Sequence, residues 1–191
     1  SFLGLILLSW LYLILIIAIK IDDPGPAFFT QKRVGIGKTY FKLHKFRSMK
    51  MCTPHDVPTH LLENPEQYIT RVGKFLRKSS LDELPQIWDI FVGNMSIIGP
   101  RPLLVRYLPR YNAEQKRRHE VRPGLSGLAQ VNGRNAISWE DKFKYDVEYV
   151  DNVTFLGDWK IIFQTVGVVL KRDGVNSETS VTMEEFMGNK E

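Results

Sequence analysis

The stretch from Phe2 to Ile19 contains no charged residue, and it divides the chain into an apolar lead and a polar, basic remainder. At about 1.5 Å per helical residue, the run is just long enough to cross a hydrocarbon layer roughly 30 Å thick. A cleaved leader would place small residues after the apolar run, and Lys20-Ile21-Asp22-Asp23-Pro24 stands there instead. Lys20, Lys32, Arg33 and Lys38 follow on the C-terminal side, so the positive-inside tendency puts the remainder in the cytoplasm. Two topologies fit: a spanning helix, or a helix that enters the bilayer, bends and returns. Ser9, near the middle, can support a bend by bonding back to the backbone, although no proline enforces one. The expectation is a membrane-embedded helix over 1–23 and one cytoplasmic domain over 24–191.

The formal net charge of +5 and pI near 9.3 suit anionic headgroups or phosphate-bearing substrates. No helix-turn-helix, zinc-finger or RNA-binding signature accompanies the charge, so no nucleic-acid partner is expected. Cys52 is the one cysteine, which rules out an internal disulfide and agrees with a reducing compartment. His44, His55, His60 and His119 show no H-x-x-x-H pairing, which argues against zinc.

Beyond Ala27, Phe28-Phe29-Thr30-Gln31 and Tyr40 through Phe46 read as two strands joined at Gly35-Ile36-Gly37-Lys38, a β-hairpin. Met51 to Glu63 reads as a loop. Apolar periodicity predicts helices over Pro65 to Lys78, Leu103 to Glu120, Ser138 to Val150 and Phe155 to Arg172. The first presents Tyr68, Ile69, Val72, Phe75 and Leu76 on one face, suiting either a membrane interface or a cover for the core. The fold class is α+β, α-rich and single-domain, with a small hairpin and interfacial amphipathic helices.

Three segments carry chemistry. In Ser79-Ser80-Leu81-Asp82-Glu83-Leu84-Pro85-Gln86, Ser80 and Glu83 have capping-box spacing. An acidic pair there complements a helix dipole. The same position keeps Asp82 ionised, as a nucleophile or a Mg²⁺ ligand requires, with Glu83 for proton handling. In Gly99-Pro100-Arg101-Pro102, two prolines fix the backbone around one guanidinium suited to phosphate. The run Arg122 through Asn135 combines glycines with Gln130, Asn132, Arg134 and Asn135, a polar cradle for a nucleotide or sugar phosphate. Lys45 and Arg47, in Lys45-Phe46-Arg47-Ser48-Met49, add cations at a strand end.

In this order the motifs resemble the monotopic phosphoglycosyl transferases of the bacterial sugar transferase family, particularly the small PglC-like members. The similarity runs from the apolar lead through Asn135-Ala136-Ile137-Ser138-Trp139 to the tail Val181 to Phe186. The resemblance implies a ping-pong transfer at the cytoplasmic face of the bacterial inner membrane. The residue matching Asp82 takes a phosphosugar from a UDP-sugar and releases UMP; polyprenol phosphate then accepts it. Catalytic roles fall to Asp82 and Glu83, with Mg²⁺ at Asp82. Substrate contacts fall to Arg101, Lys45, Arg47, Gln130, Asn132 and Arg134, and the donor is expected to be an N-acetylated amino sugar. The resemblance further implies a re-entrant helix; the family usually breaks it with Ser-Pro, where this chain has Ser9-Trp10. A membrane-bound Mg²⁺-dependent phosphohydrolase and a non-catalytic membrane adaptor are the rival readings.

Overall fold

The structure is a computed structural model describing residues 1–54, 64–133, 136–171 and 185–189. Its contacts group into two compact units, Ser1–Gln31 with Leu43–Val92 and Lys32–Lys42 with Gly93–Glu191.

In the first unit the apolar run forms two helices, α1 (Phe2–Leu7) and α2 (Ser9–Asp22). The break is at Leu8, whose ψ of 1° leaves the helical range, and Ser9 Oγ donates to the Ile6 carbonyl at 2.8 Å. A hydroxyl thus supports the break without a proline. Among the described residues, no helix is long and apolar enough to cross a membrane. Helix α2 buries Leu15 and Ile19 against Ala27, Phe46 and Leu76. Its end is tied down by acids: Asp22 Oδ2 accepts from the Val72 N–H at 2.7 Å, and Asp23 binds Arg47.

The hairpin forms as expected. Strands β1 (Phe28–Val34) and β2 (Tyr40–Phe46) pair across a 3-10 turn at Ile36–Lys38. Gly37 takes φ 59° in that turn, a left-handed conformation that favours glycine. The helix expected from Pro65 starts later. A 3-10 turn at Pro65–Tyr68 gives way to extended backbone at Ile69, which bridges to Met49. Thr70 then caps α3 (Arg71–Ser79), its hydroxyl accepting from the Gly73 N–H at 2.8 Å. The capping box expected at Ser80 is not formed. Ser80 instead ends α3 with φ 57°, and its side chain makes no cap bond. A 3-10 turn at Leu81–Glu83 follows, and Pro85 directly precedes α4 (Gln86–Phe91).

In the second unit, β3 (Ser96–Ile98) and β4 (Gly124–Ser126) pair in parallel, a small sheet the periodicity did not reveal. The helix expected across Leu103 to Glu120 resolves into 3-10 stretches at Val105–Arg110 and Gln115–His119. Pro109 lies inside the first, where it removes an N–H donor and opposes α-helix. Helix α5 (Leu128–Val131) is short. The long helices α6 (Trp139–Asp151) and α7 (Phe155–Lys171) match their periodicity. Phe143 of α6 packs with Leu103, Tyr107, Tyr111 and Phe186. Of the tail segment Val181 to Phe186, residues 181–184 lie outside the described residues; Phe186 is buried in this cluster, and Glu185 pairs with Arg110 at 2.8 Å.

Helix α3 passes so near the chain that a Cβ on Gly73 would stand 2.0 Å from the Ser48 carbonyl oxygen. Gly73→Ala is therefore expected to cost about 1–3 kcal/mol by overpacking, read as a lower midpoint in chemical denaturation; an unchanged midpoint contradicts this contact.

His119 is buried, and its Nε2 has no hydrogen-bond partner among the described residues. Burial, then the Arg118 and Lys38 charges, lower its pKa to about 3. The fold accepts the neutral ring, so this contribution is complete above the ordinary value of 6.5 and is lost as pH falls toward 3. Over that window denaturation should show an added stability slope of up to about 1.4 kcal/mol per pH unit. His119→Phe should flatten the slope; an equal slope in both proteins would refute the assignment.

Candidate active site

The acidic pair lies on the 3-10 turn between α3 and α4 in the first unit. The Asp82 and Glu83 side chains are each 14% exposed, largely withdrawn from water yet reachable. Lys45 of β2 comes to them, its Nζ 2.8 Å from Glu83 Oε1 and 4.0 Å from Asp82 Oδ2. Strand alternation explains the delivery: neighbouring residues point to opposite faces, and His44 meets Asp89 while Lys45 meets Glu83. The turn is also held from α2, where the Tyr12 hydroxyl donates to the Leu84 carbonyl at 2.6 Å.

Sequence reasoning missed Arg77. Burial lowers the pKa of its guanidinium, and the neighbouring Asp82 charge opposes that shift. Its Nε donates to Ser48 Oγ at 2.9 Å. Arg77 sits in the last turn of α3, and its position just before the acidic motif was the available signal. Arg47, expected among the substrate contacts, is buried and engaged elsewhere. Its Nε donates to the Pro26 carbonyl at 2.7 Å, and its terminal nitrogens bind Asp23. Of the two cations in the Lys45-Phe46-Arg47 segment, Lys45 faces the acids and Arg47 faces the end of α2.

In the second unit the Arg101 carbonyl accepts from Arg118 Nη2 at 2.7 Å. Arg118 is itself paired with Asp146, at 2.7 Å through Nη2 and 2.9 Å through Nε, and both side chains are 2% exposed. Lys142 lies in the same neighbourhood, its ammonium 4.6 Å from the Trp139 ring centre. Burial, then the Arg101 charge, lowers its pKa to about 8, with Asp146 acting in the opposite direction. The periodicity of α6 offered no signal for Lys142 or Asp146 beyond their helical placement. Gln130 keeps both amide atoms buried without a hydrogen-bond partner among the described residues. Asn132 turns back on its own helix, its Nδ2 donating to the Leu128 carbonyl at 2.8 Å. Arg134 and Asn135 lie outside the described residues.

Among the described residues, no group of three or more His, Cys, Asp or Glu side chains is placed to hold a metal. Mg²⁺ is commonly held by one or two carboxylates, with substrate phosphates and water completing its octahedron. The adjacent carboxylates of Asp82 and Glu83 are a donor set of that size, so the residues present fit the ion. Chemically, the turn offers an oxygen nucleophile in a partly dry setting between two cationic side chains.

The Arg118–Asp146 pair anchors the backbone at Arg101, so its loss should be severe. Arg118→Met leaves a buried carboxylate uncompensated and is expected to cost about 3–5 kcal/mol. Urea denaturation reads the loss; a change below about 1 kcal/mol would show that the pair is dispensable.

Comparison with known proteins places the chain in a family. Residues 1–172 match the family model described as bacterial sugar transferase. The chain is 47% identical over 179 residues to an uncharacterized sugar transferase, EpsL, of Bacillus subtilis (strain 168), covering 94% of this chain and 86% of that protein. It is 39% identical to the UDP-galactose-lipid carrier transferase of Erwinia amylovora, over 85% of this chain and 37% of the relative. It is 38% identical to the UDP-glucose:undecaprenyl-phosphate glucose-1-phosphate transferase of Escherichia coli (strain K12), over 85% of this chain and 36% of that protein. The chain thus spans most of the Bacillus protein but under two fifths of the other two. With the acidic turn, its lysine and the Pro-Arg-Pro segment inside the matched region, the chain belongs to the bacterial sugar transferase family.

Proposed function

We propose that this chain is a polyprenol phosphate phosphoglycosyl-1-phosphate transferase working at the cytoplasmic face of the bacterial inner membrane. The observation that carries the reading is the largely buried Asp82–Glu83 pair beside Lys45, inside a bacterial sugar transferase match. The names of the Erwinia and Escherichia relatives support a UDP-sugar donor and, for the latter, an undecaprenyl-phosphate acceptor.

In the proposed reaction an Asp82 carboxylate oxygen attacks the phosphorus that bears the sugar. The bond from that phosphorus to the bridging oxygen breaks, and UMP leaves with the electron pair. The phosphosugar then sits on Asp82 as an acyl phosphate. An oxygen of polyprenol phosphate attacks the same phosphorus, releasing Asp82 as a carboxylate and forming a polyprenol diphosphate sugar. Lys45 holds Glu83 beside the nucleophile, and Arg77 adds positive charge near Asp82. Asp82 and Glu83 would hold Mg²⁺, which when bound neutralises diphosphate charge. Arg101 is proposed to bind phosphate, with Gln130, Asn132 and Arg134 as further donor contacts. The donor is proposed to be an N-acetylated amino sugar; galactose and glucose, the sugars in the relatives' names, are its competitors.

The membrane reading is supported by apolar side chains without protein cover. Phe2, Leu7, Trp10 and Ile21 are 58%, 70%, 63% and 78% exposed, a surface suited to lipid. The break at Leu8 favours a segment that enters the bilayer and returns. Phe75 of α3 and Trp88 of α4 are exposed as well, as interfacial helices require.

The test is incubation of the membrane-reconstituted chain with Mg²⁺ and a panel of UDP-sugars, including UDP-N-acetyl sugars, UDP-galactose and UDP-glucose. UMP release and a phosphosugar adduct on the Asp82 peptide are expected, and the sugar should end on polyprenol phosphate. Asp82→Asn should lose about 10³-fold or more of the rate. No UMP and no adduct with any donor would overturn the proposal, and sugar phosphate released to water would make the chain a phosphohydrolase.

A further inference from the structure

Asp89 is fully buried, at 0% exposure, and has no part in the proposed chemistry. A carboxylate removed from water costs several kcal/mol unless its oxygens are hydrogen-bonded, so its partners matter. Both come from one residue of β2. Asp89 Oδ2 accepts from the His44 backbone N–H at 2.9 Å, and Oδ1 lies 2.8 Å from His44 Nδ1. Helix α4, which carries Asp89, begins three residues after Glu83, with Leu84 and Pro85 bridging the gap. Lys45, the next residue after His44, places its ammonium 2.8 Å from Glu83 and 4.0 Å from Asp82.

We propose that Asp89 is a positioning residue, a buried buckle between α4 and β2 that sets Lys45 over the Asp82–Glu83 pair. The inference rests on the reading of that pair as the reacting centre. The geometry argues for positioning and against direct chemistry. His44 and Lys45 are consecutive on a strand and face opposite ways, so the imidazole is directed to Asp89 while the ammonium is directed to the acids. Packing alone would be served by leucine at position 89; two bonds to a single residue instead fix the strand both along its axis and in rotation. A shift of the strand by one residue would exchange the two faces and withdraw Lys45 altogether.

Two measurements test this on the membrane-reconstituted chain. The first needs no activity. A water-soluble carbodiimide activates the Glu83 carboxyl, and the Lys45 amine displaces the reagent as its urea, leaving an amide cross-link countable by peptide mass spectrometry. The cross-link is expected in the wild type and should fall about fivefold or more in Asp89→Ala, whereas Asp89→Asn, which can still bond His44, should keep most of it. The second is a double-mutant cycle on UMP release. Asp89→Ala should slow turnover about tenfold in the wild-type background and less than about twofold in a Lys45→Ala background. If Asp89→Ala does not fold, His44→Ala replaces it in both measurements, with a smaller change in the same direction because only the ring bond is lost. An undiminished cross-link, or equal losses in both backgrounds, overturns the buckle. Absence of UMP release by the wild type refutes the transferase reading instead, and the cross-link still decides the role of Asp89.

Discussion

Two carboxylates on consecutive residues, mostly out of water, repel one another. Lys45 offsets that repulsion, and the offset is uneven, with Glu83 at 2.8 Å and Asp82 at 4.0 Å. The nearer acid, Glu83, makes the closer ion pair, while Asp82 has Arg77 as a second neighbouring cation. An uneven pair gives the two carboxylates different surroundings: Glu83 anchors the lysine, and Asp82 has both Lys45 and the Arg77 charge for neighbours. The arrangement depends on a strand and a turn being held at fixed separation, and the first unit supplies that hold.

The hold comes from a few consecutive residues of β2 and its continuation. His44 is tied to Asp89, Lys45 to Glu83, Phe46 is 1% exposed in the core, and Arg47 is tied to Asp23 and Pro26. Each side chain fastens the strand to a different element, so the strand cannot slide or rotate without breaking several contacts. The apolar lead takes part in the same scaffold. Tyr12 reaches the Leu84 carbonyl, and Asp22 binds the first turn of α3. A segment whose composition suggests a passive anchor therefore also positions the acidic turn.

Local signals in the sequence were reliable where local physics decides. The hairpin followed from its turn glycines, and α6 and α7 followed from apolar periodicity. The acidic motif, its lysine and the Pro-Arg-Pro segment were visible as residue types. Failures came where long-range contacts won. Ser80 and Glu83 have capping-box spacing, but Ser80 is needed to end α3 in a left-handed conformation so that the chain can turn back. The helix expected from Pro65 was shortened because Ile69 is drawn into a bridge with Met49. Three-residue strands such as β3 and β4 are too short to carry a period, and their pairing needs Gly99 and Gly124 in near contact: a Cβ on Gly124 would lie 2.1 Å from the Gly99 nitrogen. Arg47 shows the limit of motif reading. Its charge was legible, but its direction was set by Asp23, distant in the chain.

The second unit solves a related problem by other means. Arg101 is flanked by prolines, which restrict its backbone but do not anchor it to the rest of the fold. The anchor is Arg118, which donates to the Arg101 carbonyl, so this contact holds the loop by its backbone. A buried arginine is expensive to hold, and Asp146 offsets the cost, its Oδ2 accepting from Nε at 2.9 Å and pairing with Nη2 at 2.7 Å. A neutral donor would satisfy the same carbonyl more cheaply. What the ion pair adds is direction: Asp146 Oδ2 meets both Nε and Nη2, and the same Nη2 donates to the Arg101 carbonyl, so the carboxylate orients the edge of the guanidinium that meets the loop. Lys142, in the same neighbourhood, titrates near 8 because burial and Arg101 both disfavour its charge. Asp146 opposes both effects, so the carboxylate that holds Arg118 also favours the Lys142 ammonium against its burial.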